Sequence, residues 1–311
     1  MPGGVNDITN FNPKTDVPDL SGKVILVTGG TAGVGAGTVV ELARHNPAHL
    51  VFTGRNAKSA EATIASARSA GPGVRATFVE CDFANLASVK TAAEKILANL
   101  DRLDVLVCNA GIMAKPAALS KDGYEIHFAT NHLGHALLNL KLLPLMEKTA
   151  ELPGADVRIL MVTSTASRGT PPGGIVFDKL KTTQEMLFGR WLRYGQSKLA
   201  NLIWARELAK RYPKILSCSV TPGIVMTTLV TDLRFMDKLW VYPFTIGQKL
   251  TPEQGTYNLL WAIGAPRDGI KRGAFYEPVG HLSPMETRAS RDSELGDKLW
   301  KWTNEELKPF M

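Results

Sequence analysis

The residues whose types and spacing could do chemistry are Tyr194 and Lys198, four positions apart in the stretch Tyr-Gly-Gln-Ser-Lys. On a helix this spacing places both side chains on the same face, one turn apart. Because an ammonium group stabilises a nearby phenolate, we expect Lys198 to lower the pKa of Tyr194. A tyrosine of this kind can exchange a proton with a substrate oxygen. The alternative is an ordinary ion-and-phenol pair on a surface helix.

A glycine-rich turn stands between a buried-strand pattern, Lys23 to Thr28, and a helical stretch that begins at Ala36. Glycine permits a tight turn and lets a pyrophosphate approach the bare backbone, while the helix N-terminus offers N–H donors. The turn therefore predicts a dinucleotide site. Its candidate contacts are Gly29, Thr31, Gly33, Val34 and Gly35.

Short apolar runs alternate with helical stretches along most of the chain, which predicts repeated βαβ units. Further strands are expected at 50–53, 75–81, 103–108, 157–162 and 215–220, and helices at 58–70, 86–100, 123–146 and 190–211. This order favours an α/β fold: a single Rossmann-type doubly wound parallel sheet with helices on both faces. We expect an N-terminal arm over residues 1–20, without periodicity, and one domain over 21–311.

Four further motifs follow in the order typical of one family. They are Cys108-Asn109-Ala110-Gly111 after the fourth strand, Asn131 in Asn-His-Leu-Gly-His, Ser164 after the fifth strand, and Pro222-Gly223 after the sixth. With the glycine turn and Tyr194-x-x-x-Lys198, this set resembles the short-chain dehydrogenase/reductase family over about residues 20–280. Cys108 replaces the asparagine usual at that position. The Asn131 motif and the long later part resemble the branch of retinol dehydrogenases and the WW-domain oxidoreductase.

The resemblance implies a catalytic set of Asn131, Ser164, Tyr194 and Lys198. Tyr194 would exchange the proton, and Ser164 would hydrogen-bond the same substrate oxygen. Lys198 would also hold the nicotinamide ribose, and Asn131 would hold a water that relays protons to Lys198. The nearby hydroxyl residues Thr163, Thr165 and Ser167 are rivals to Ser164, and we expect His132 and His135 to be packing or surface residues.

The residues after the second strand favour NADP(H), because no acidic side chain stands there to bind a ribose hydroxyl. Arg55 offers a guanidinium suited to a 2′-phosphate, with Lys58 as a second contact; an exposed loop arginine is the alternative. By resemblance, Asp82 would meet the adenine and Thr227 the carboxamide. The other contacts expected by resemblance are Asn109, Gly111, Tyr194, Lys198, Pro222 and Gly223.

Two segments are candidates for substrate recognition. Residues 168–189 are rich in glycine and proline and are expected to form a loop over the site. Residues 228–250 carry many large apolar side chains, which suggests a lid over an apolar or aromatic substrate. A packed helix pair, a subunit interface and a membrane-surface contact remain open for the second segment.

Composition narrows the function classes. The net charge of +7 is dispersed, which disfavours nucleic-acid binding. No apolar run is long enough for a transmembrane helix, and no secretory signal is evident. Three scattered cysteines predict free thiols in a reducing compartment and no metal site. We expect a cytoplasmic protein, a homodimer or homotetramer, with a small-molecule partner.

The function expected from these residues is an NADPH-dependent carbonyl reductase for a bulky apolar or aromatic ketone or aldehyde. Oxidation of a secondary alcohol would use the same residues in reverse. Two alternatives from other classes are a nucleotide-sensing protein of the same fold without catalysis and an oligomeric scaffold without a cofactor.

Overall fold

The computed structural model describes residue 8 and residues 10–185, 189–225 and 249–311. The strands are β1 Val24–Val27, β2 His49–Gly54, β3 Ala76–Glu80, β4 Val105–Cys108, β5 Arg158–Val162, β6 Leu216–Val220, β7 Ile224–Val225, β8 Lys249–Leu250, β9 Phe275–Glu277 and β10 His281–Leu282. The helices are α1 Pro13–Asp16, α2 Gly33–Ala43, α3 Ala57–Ala70, α4 Leu86–Asn99, α5 Ile126–Phe128, α6 Gly134–Ala150, α7 Gly189–Arg211, α8 Tyr257–Gly264, α9 Arg288–Arg291 and α10 Ser293–Leu307.

Eight strands form one Rossmann-like sheet in the order β10-β9-β6-β5-β4-β1-β2-β3. All neighbours pair in parallel except β10, which is antiparallel to β9. The chain runs outward from β1 to β3 and then returns to place β4 on the other side of β1. A crevice at the carboxyl ends of β1 and β4 is therefore expected to bind the ligand.

Helices cover both faces of the sheet, as the alternating pattern predicts. One apolar cluster joins the sheet to α4, α6, α7 and α10 and includes the fully buried Trp204 and Phe128. The other joins the sheet to α2, α3 and α8 and includes Phe52 and Leu42. Each central strand is buried on both sides, which explains its continuous apolar sequence.

The long helix expected over residues 123–146 is interrupted. It begins at Ile126, widens into a π-helical turn over Ala129–Leu133, and continues as α6 to Ala150. Pro144 lies inside α6 rather than near its end. The π turn carries Asn131, and turns of this kind often mark functional sites.

The described part of the N-terminal arm and the C-terminal helix both pack against the body of the domain. In the arm, Ile8, Val17 and Leu20 are buried, and the short helix α1 lies between Ile8 and Val17 in the sequence. The described part of the arm therefore belongs to the packed domain. α10 packs on α7 through stacked indole rings of Trp300 and Trp204, whose centroids are 4.5 Å apart. The three cysteines are free and buried, as predicted.

Candidate active site

The N-terminus of α2 lies at the carboxyl end of β1 and is open to a ligand. Its N-cap residue, Ala32, makes no side-chain hydrogen bond to the first turn. Gly29 has a φ of +69°, which favours glycine. A Cβ at Gly35 would stand 2.3 Å from the Gly29 carbonyl oxygen. The backbone therefore folds on itself so closely here that only glycine fits, and Gly33 is left exposed.

The turn also contacts the end of β2, where Arg55 stands. A Cβ at Gly54 would lie 2.5 Å from the Thr31 hydroxyl, so Thr31 packs directly on the residue before Arg55. Arg55 and Lys58 are both exposed, and neither forms an ion pair within the described ranges. Val34 is partly buried and packs against the small apolar cluster of Ile8, Val225 and Leu250. Arg55 thus lies at the same edge of the sheet as the glycine turn, and its guanidinium forms no ion pair with the described residues.

The expected adenosine contacts form the neighbouring wall. One carboxylate oxygen of Asp82 accepts a hydrogen bond from the Ala84 N–H at 3.0 Å, which fixes the turn after β3. The Asn109 amide donates to the Thr28 carbonyl at 2.9 Å and thereby ties the end of β4 to the end of β1. A Cβ at Gly111 would lie 3.1 Å from Asn131 Oδ1 and 3.5 Å from Lys198 Nζ. Gly111 therefore joins this wall to the lysine and the asparagine.

The Ser164 side chain lies close enough to the phenol of Tyr194 to lower the pKa of that phenol. Ser164 caps a 3-10 turn, Thr165–Arg168, that directly follows β5. This turn lies against α7 because residue 195 is glycine: a Cβ there would stand 2.0 Å from the Gly169 carbonyl oxygen. The glycine after Tyr194 therefore allows the serine to approach the phenol.

Two rivals of Ser164 are directed elsewhere. The Thr163 hydroxyl donates to the Lys198 carbonyl at 2.7 Å, and Ser167 is buried. Ser164 is the residue of this group that lies near enough to affect the pKa of Tyr194.

The pKa of Tyr194 is raised, not lowered as expected from its spacing to Lys198. Burial raises it to about 12, and the neighbouring Ser164 side chain acts in the opposite direction. Lys198 Nζ lies 5.9 Å from the centre of the phenol ring and donates to the Val162 carbonyl at 3.0 Å. The loss of hydration outweighs the attraction of an ammonium at that distance. Tyr194 therefore carries its proton at neutral pH.

Lys198 is buried as well, which lowers its pKa to about 8. Burial disfavours the ammonium form of lysine as it disfavours the phenolate form of tyrosine. Burial thus shifts the two pKa values in opposite directions, and in each case it disfavours the charged form of the side chain.

Asn131 is fully buried, and its side-chain amide is engaged by protein groups. Its Oδ1 accepts from the Ile112 N–H at 2.8 Å, and its Nδ2 donates to the Ile112 carbonyl at 3.0 Å and to Ser197 Oγ at 2.9 Å. Since both amide N–H groups are in use, the side chain holds the 109–112 turn against α7. A role in holding water would fall to the Asn131 backbone carbonyl.

The loop expected over residues 168–189 is tied to α7 by two buried side chains. Gln196 Oε1 accepts from the Val176 N–H at 2.9 Å, and its Nε2 donates to Gln184 Oε1 at 3.2 Å. Arg193 donates to the Gln184 carbonyl at 2.9 Å and pairs with the buried Glu125 at 3.2 Å. The described part of this loop is therefore a fixed wall beside Tyr194.

The turn after β6 carries Pro222 and Gly223. Gly223 has a φ of +81°, and a Cβ there would stand 2.7 Å from a Leu250 methyl group. Strand β7 directly precedes the segment 226–248 and β8 directly follows it, and the two strands pair in parallel. Thr227 and nearly all of the apolar segment 228–250 lie outside the described residues.

Several residues that support the catalytic side chains belong to none of the motifs predicted as functional. For some of them the sequence offers a local indication. Gly195 interrupts a helix, which costs about 0.5–1 kcal/mol relative to alanine and indicates a close contact. His135 stands four residues after Asn131, on the same helical face. No local pattern marks Arg193, Gln196 or Glu125, because their partners are distant in sequence.

Comparison with known proteins bears on this geometry. The family model described as short chain dehydrogenase matches residues 23–238. The chain belongs to the short-chain dehydrogenase/reductase family. Members of this family are oxidoreductases that use nicotinamide cofactors.

Individual relatives cover almost the whole chain. A short-chain dehydrogenase/reductase of Aspergillus calidoustus is 35% identical over 304 residues, which is 94% of this chain and 96% of the relative. A solved structure of an uncharacterised Mycobacterium paratuberculosis protein has a TM-score of 0.72 at 28% identity and covers 95% of this chain and 97% of that one. A Brassica napus short-chain dehydrogenase, named chloroplastic, is 30% identical over 283 residues, with 89% and 86% covered. Membership of the family therefore does not determine the compartment.

The part of the chain that the structure describes contains no helix both long enough and apolar enough to cross a membrane.

Proposed function

We propose that this protein is an NADPH-dependent carbonyl reductase that acts on a bulky apolar or aromatic ketone or aldehyde. The observation that carries the proposal is the grouping of Ser164, Tyr194 and Lys198 at the carboxyl edge of the sheet, with Ser164 beside the phenol and Lys198 Nζ 5.9 Å from the centre of its ring. This edge is where the glycine turn and the 109–111 turn also meet. Oxidation of a secondary alcohol would use the same groups in reverse.

Proton transfer is assigned to Tyr194. A bound nicotinamide cofactor would supply the hydride that reaches the carbonyl carbon. Charge then develops on the substrate oxygen, and the Tyr194 hydroxyl donates its proton to that oxygen while the Ser164 hydroxyl donates a hydrogen bond. The raised pKa of Tyr194, about 12, keeps this proton available at neutral pH. Lys198 in its ammonium form stabilises the phenolate that results and would hold the nicotinamide ribose.

The cofactor groups fit the residues that line the edge. The uncapped N-terminus of α2 suits a pyrophosphate, since its N–H groups and dipole favour an anion. Asp82, Asn109 and Gly111 would hold the adenosine and ribose. Pro222, Gly223 and Thr227 would hold the carboxamide end. The exposed charge of Arg55, at the end of β2, supports NADP over NAD because it can pair with a 2′-phosphate.

The substrate class is inferred from the two substrate segments. Tyr194 is flanked by the indole of Trp191, edge-on with ring centres 6.5 Å apart, and by the described wall of residues 168–185. The large apolar side chains of residues 228–250 favour an apolar or aromatic carbonyl compound. We place the protein in the cytoplasm as a homo-oligomer and with no nucleic-acid partner, in line with its free buried thiols and dispersed charge.

Tyr194→Phe tests the proton-donor role. We expect the variant to bind NADPH with nearly unchanged affinity, followed by nicotinamide fluorescence, and to lose at least about a thousandfold in kcat on a panel of aromatic and aliphatic ketones and aldehydes. Retained turnover would reject the role of Tyr194. Wild-type protein that binds NADPH but reduces no carbonyl would favour the sensing alternative, and absence of NADPH binding would overturn both.

Arg55→Asp tests the cofactor preference. The substitution replaces a phosphate partner with a like charge and adds an acceptor for a ribose hydroxyl. We expect the ratio of kcat/KM for NADPH to that for NADH to fall by roughly a hundredfold, and to fall less in Arg55→Ala. The matched control is Arg75→Asp, another exposed arginine on the chain, which should leave the ratio unchanged. An unaltered ratio in Arg55→Asp would remove this residue from the site.

A further inference from the structure

His135 is a buried histidine that connects the cofactor edge to the catalytic helix turn. Its Nε2 lies 2.9 Å from Thr28 Oγ1, at the end of β1, and its Nδ1 lies 3.0 Å from the Asn131 carbonyl oxygen. Phe83 stacks on the ring, with centres 4.3 Å apart and planes at 19°. The imidazole therefore touches three separate parts of the site wall.

The hydrogen bonds around Thr28 determine which ring nitrogen carries the proton. The backbone N–H groups of Asn109 and Ala110 both donate to Thr28 Oγ1 at 2.8 Å. These bonds use both lone pairs of the hydroxyl oxygen, so its hydrogen must point to His135 Nε2. Nε2 is then an acceptor, and the ring proton resides on Nδ1, where it is donated to the Asn131 carbonyl.

The neutral state of the ring agrees with its surroundings. His135 is fully buried, and burial lowers its pKa to about 3. The nearby ammonium of Lys198 lowers the pKa in the same direction. A doubly protonated ring would also lose its bond with Thr28, since both would then be donors.

We propose that His135, in its Nδ1–H form, is a positioning residue that fixes the direction of the Asn131 backbone carbonyl relative to the cofactor turn. The side-chain amide of Asn131 is already hydrogen-bonded to Ile112 and Ser197. The backbone carbonyl of Asn131 is therefore the group that would hold a water relaying protons to Lys198. This inference rests on the proposed function, because it gives His135 a role in the same proton-transfer site. The ring does not touch the substrate.

A second buried histidine provides a matched control. His132 lies three residues earlier, is also fully buried, and has a pKa lowered by burial to about 3. Its Nε2 meets Thr303 Oγ1 on α10 at 3.1 Å, and its ring packs edge-on to Trp204. It thus has the same burial and charge state without a contact to the cofactor edge.

Three substitutions separate the two arms of His135. Phenylalanine keeps the ring stack and removes both hydrogen bonds. Asparagine can present its amide N–H near the position of Nδ1, whereas the longer glutamine can reach the position of Nε2. We expect His135→Phe to lower kcat about tenfold, His135→Asn to recover most of it, and His135→Gln to leave it low.

The measurements are kcat and KM on a carbonyl that the wild type reduces, the NADPH Kd, and thermal stability. His132→Phe is expected to lose stability while kcat stays within about twofold. Equal loss of kcat in His132→Phe, or no recovery in His135→Asn, would reduce His135 to a packing residue and overturn the proposal.

Nitrogen-15 NMR of protein labelled at histidine gives a readout free of activity. The His135 signals are identified by their loss in His135→Phe. We expect a neutral ring with the proton on Nδ1 between pH 5 and 8. A proton on Nε2, or a charged ring, would overturn the proposal even if the enzyme is active. If the wild type reduces no carbonyl but the Nδ1–H form is observed, the proposed function fails while this arrangement stands.

Discussion

The proposed cofactor edge and the proposed substrate wall, which is the 168–185 loop beside Tyr194, are built in different ways. At the cofactor edge, formed by the ends of β1, β2 and β4, backbone groups do most of the work, and contacts such as Asn109 to Thr28 join neighbouring strand ends. At the substrate wall, Arg193 and Gln196 reach from α7 to residues in the 168–185 loop. The cofactor edge depends on glycines that allow backbone segments to approach closely. The substrate wall depends on long side chains whose hydrogen-bond partners are far away in the sequence.

A pair of glycine substitutions provides the strongest test of this division. Gly195→Ala would place a Cβ 2.0 Å from the Gly169 carbonyl oxygen and push the turn with Ser164 away from Tyr194. We expect kcat to fall about a hundredfold, with the NADPH Kd nearly unchanged. Gly35→Ala would instead weaken NADPH binding by roughly ten- to a hundredfold, because its Cβ would strike the Gly29 carbonyl.

Both variants need circular dichroism and a melting curve, so that loss of fold is separated from loss of function. The division would break if Gly195→Ala lost NADPH affinity in proportion to kcat, since one substitution would then disturb both regions.

A smaller effect is expected when the substrate wall is loosened. Gln196→Met removes the hydrogen bonds to the Val176 N–H and to Gln184 while filling a similar volume. We expect KM for the carbonyl substrate to rise about tenfold, with kcat changed less than threefold and the NADPH Kd unchanged, because only the wall beside the substrate moves.

Asn139→Leu is the control for Gln196→Met. Asn139 is another buried amide, bonded to Trp204 Nε1 and Cys108 Sγ away from the loop. It should lower the melting temperature without a change in KM. If the two variants alter KM equally, the loop does not form the substrate wall.

The smallest effect concerns stability at the border of the two regions. Burial lowers the pKa of Lys198 to about 8 from 10.5, so the unfolded chain binds more protons between these values. The cost to folding is therefore fully present below pH 8 and is relieved as the pH rises towards 10.5. We expect Lys198→Met to be more stable than the wild type by about 1–3 kcal/mol at pH 7, and under the proposed function to be inactive.

Urea unfolding at pH 7 and pH 10 checks this expectation. The advantage of the variant should shrink at pH 10. The Val162 carbonyl keeps a partner in the variant, because Asn201 Nδ2 also donates to it at 3.3 Å. A variant less stable than the wild type at pH 7 would show that the hydrogen bond of Lys198 outweighs the cost of its burial.

Sequence patterns predicted the sheet and the glycine turn because these depend on local chemistry. Buried parallel strands require apolar runs, and a phosphate turn requires bare backbone. The pKa direction of Tyr194 was wrong because burial is set by residues far along the chain. The helix expected to end at residue 146 continues past Pro144 to Ala150, because tertiary packing outweighs a local break.

The parallel pairing of β7 with β8 has a consequence for how this enzyme family can diversify. Strand β7 ends at Val225 and strand β8 begins at Lys249, and the two strands are hydrogen-bonded neighbours. Both ends of the interval 226–248 are therefore held side by side. Closing a longer interval between fixed ends costs only about 0.6 kcal/mol for each doubling of its length. Insertions between these two strands should therefore cost little folding free energy, and under the proposed function this interval is a place where new substrate specificities can arise.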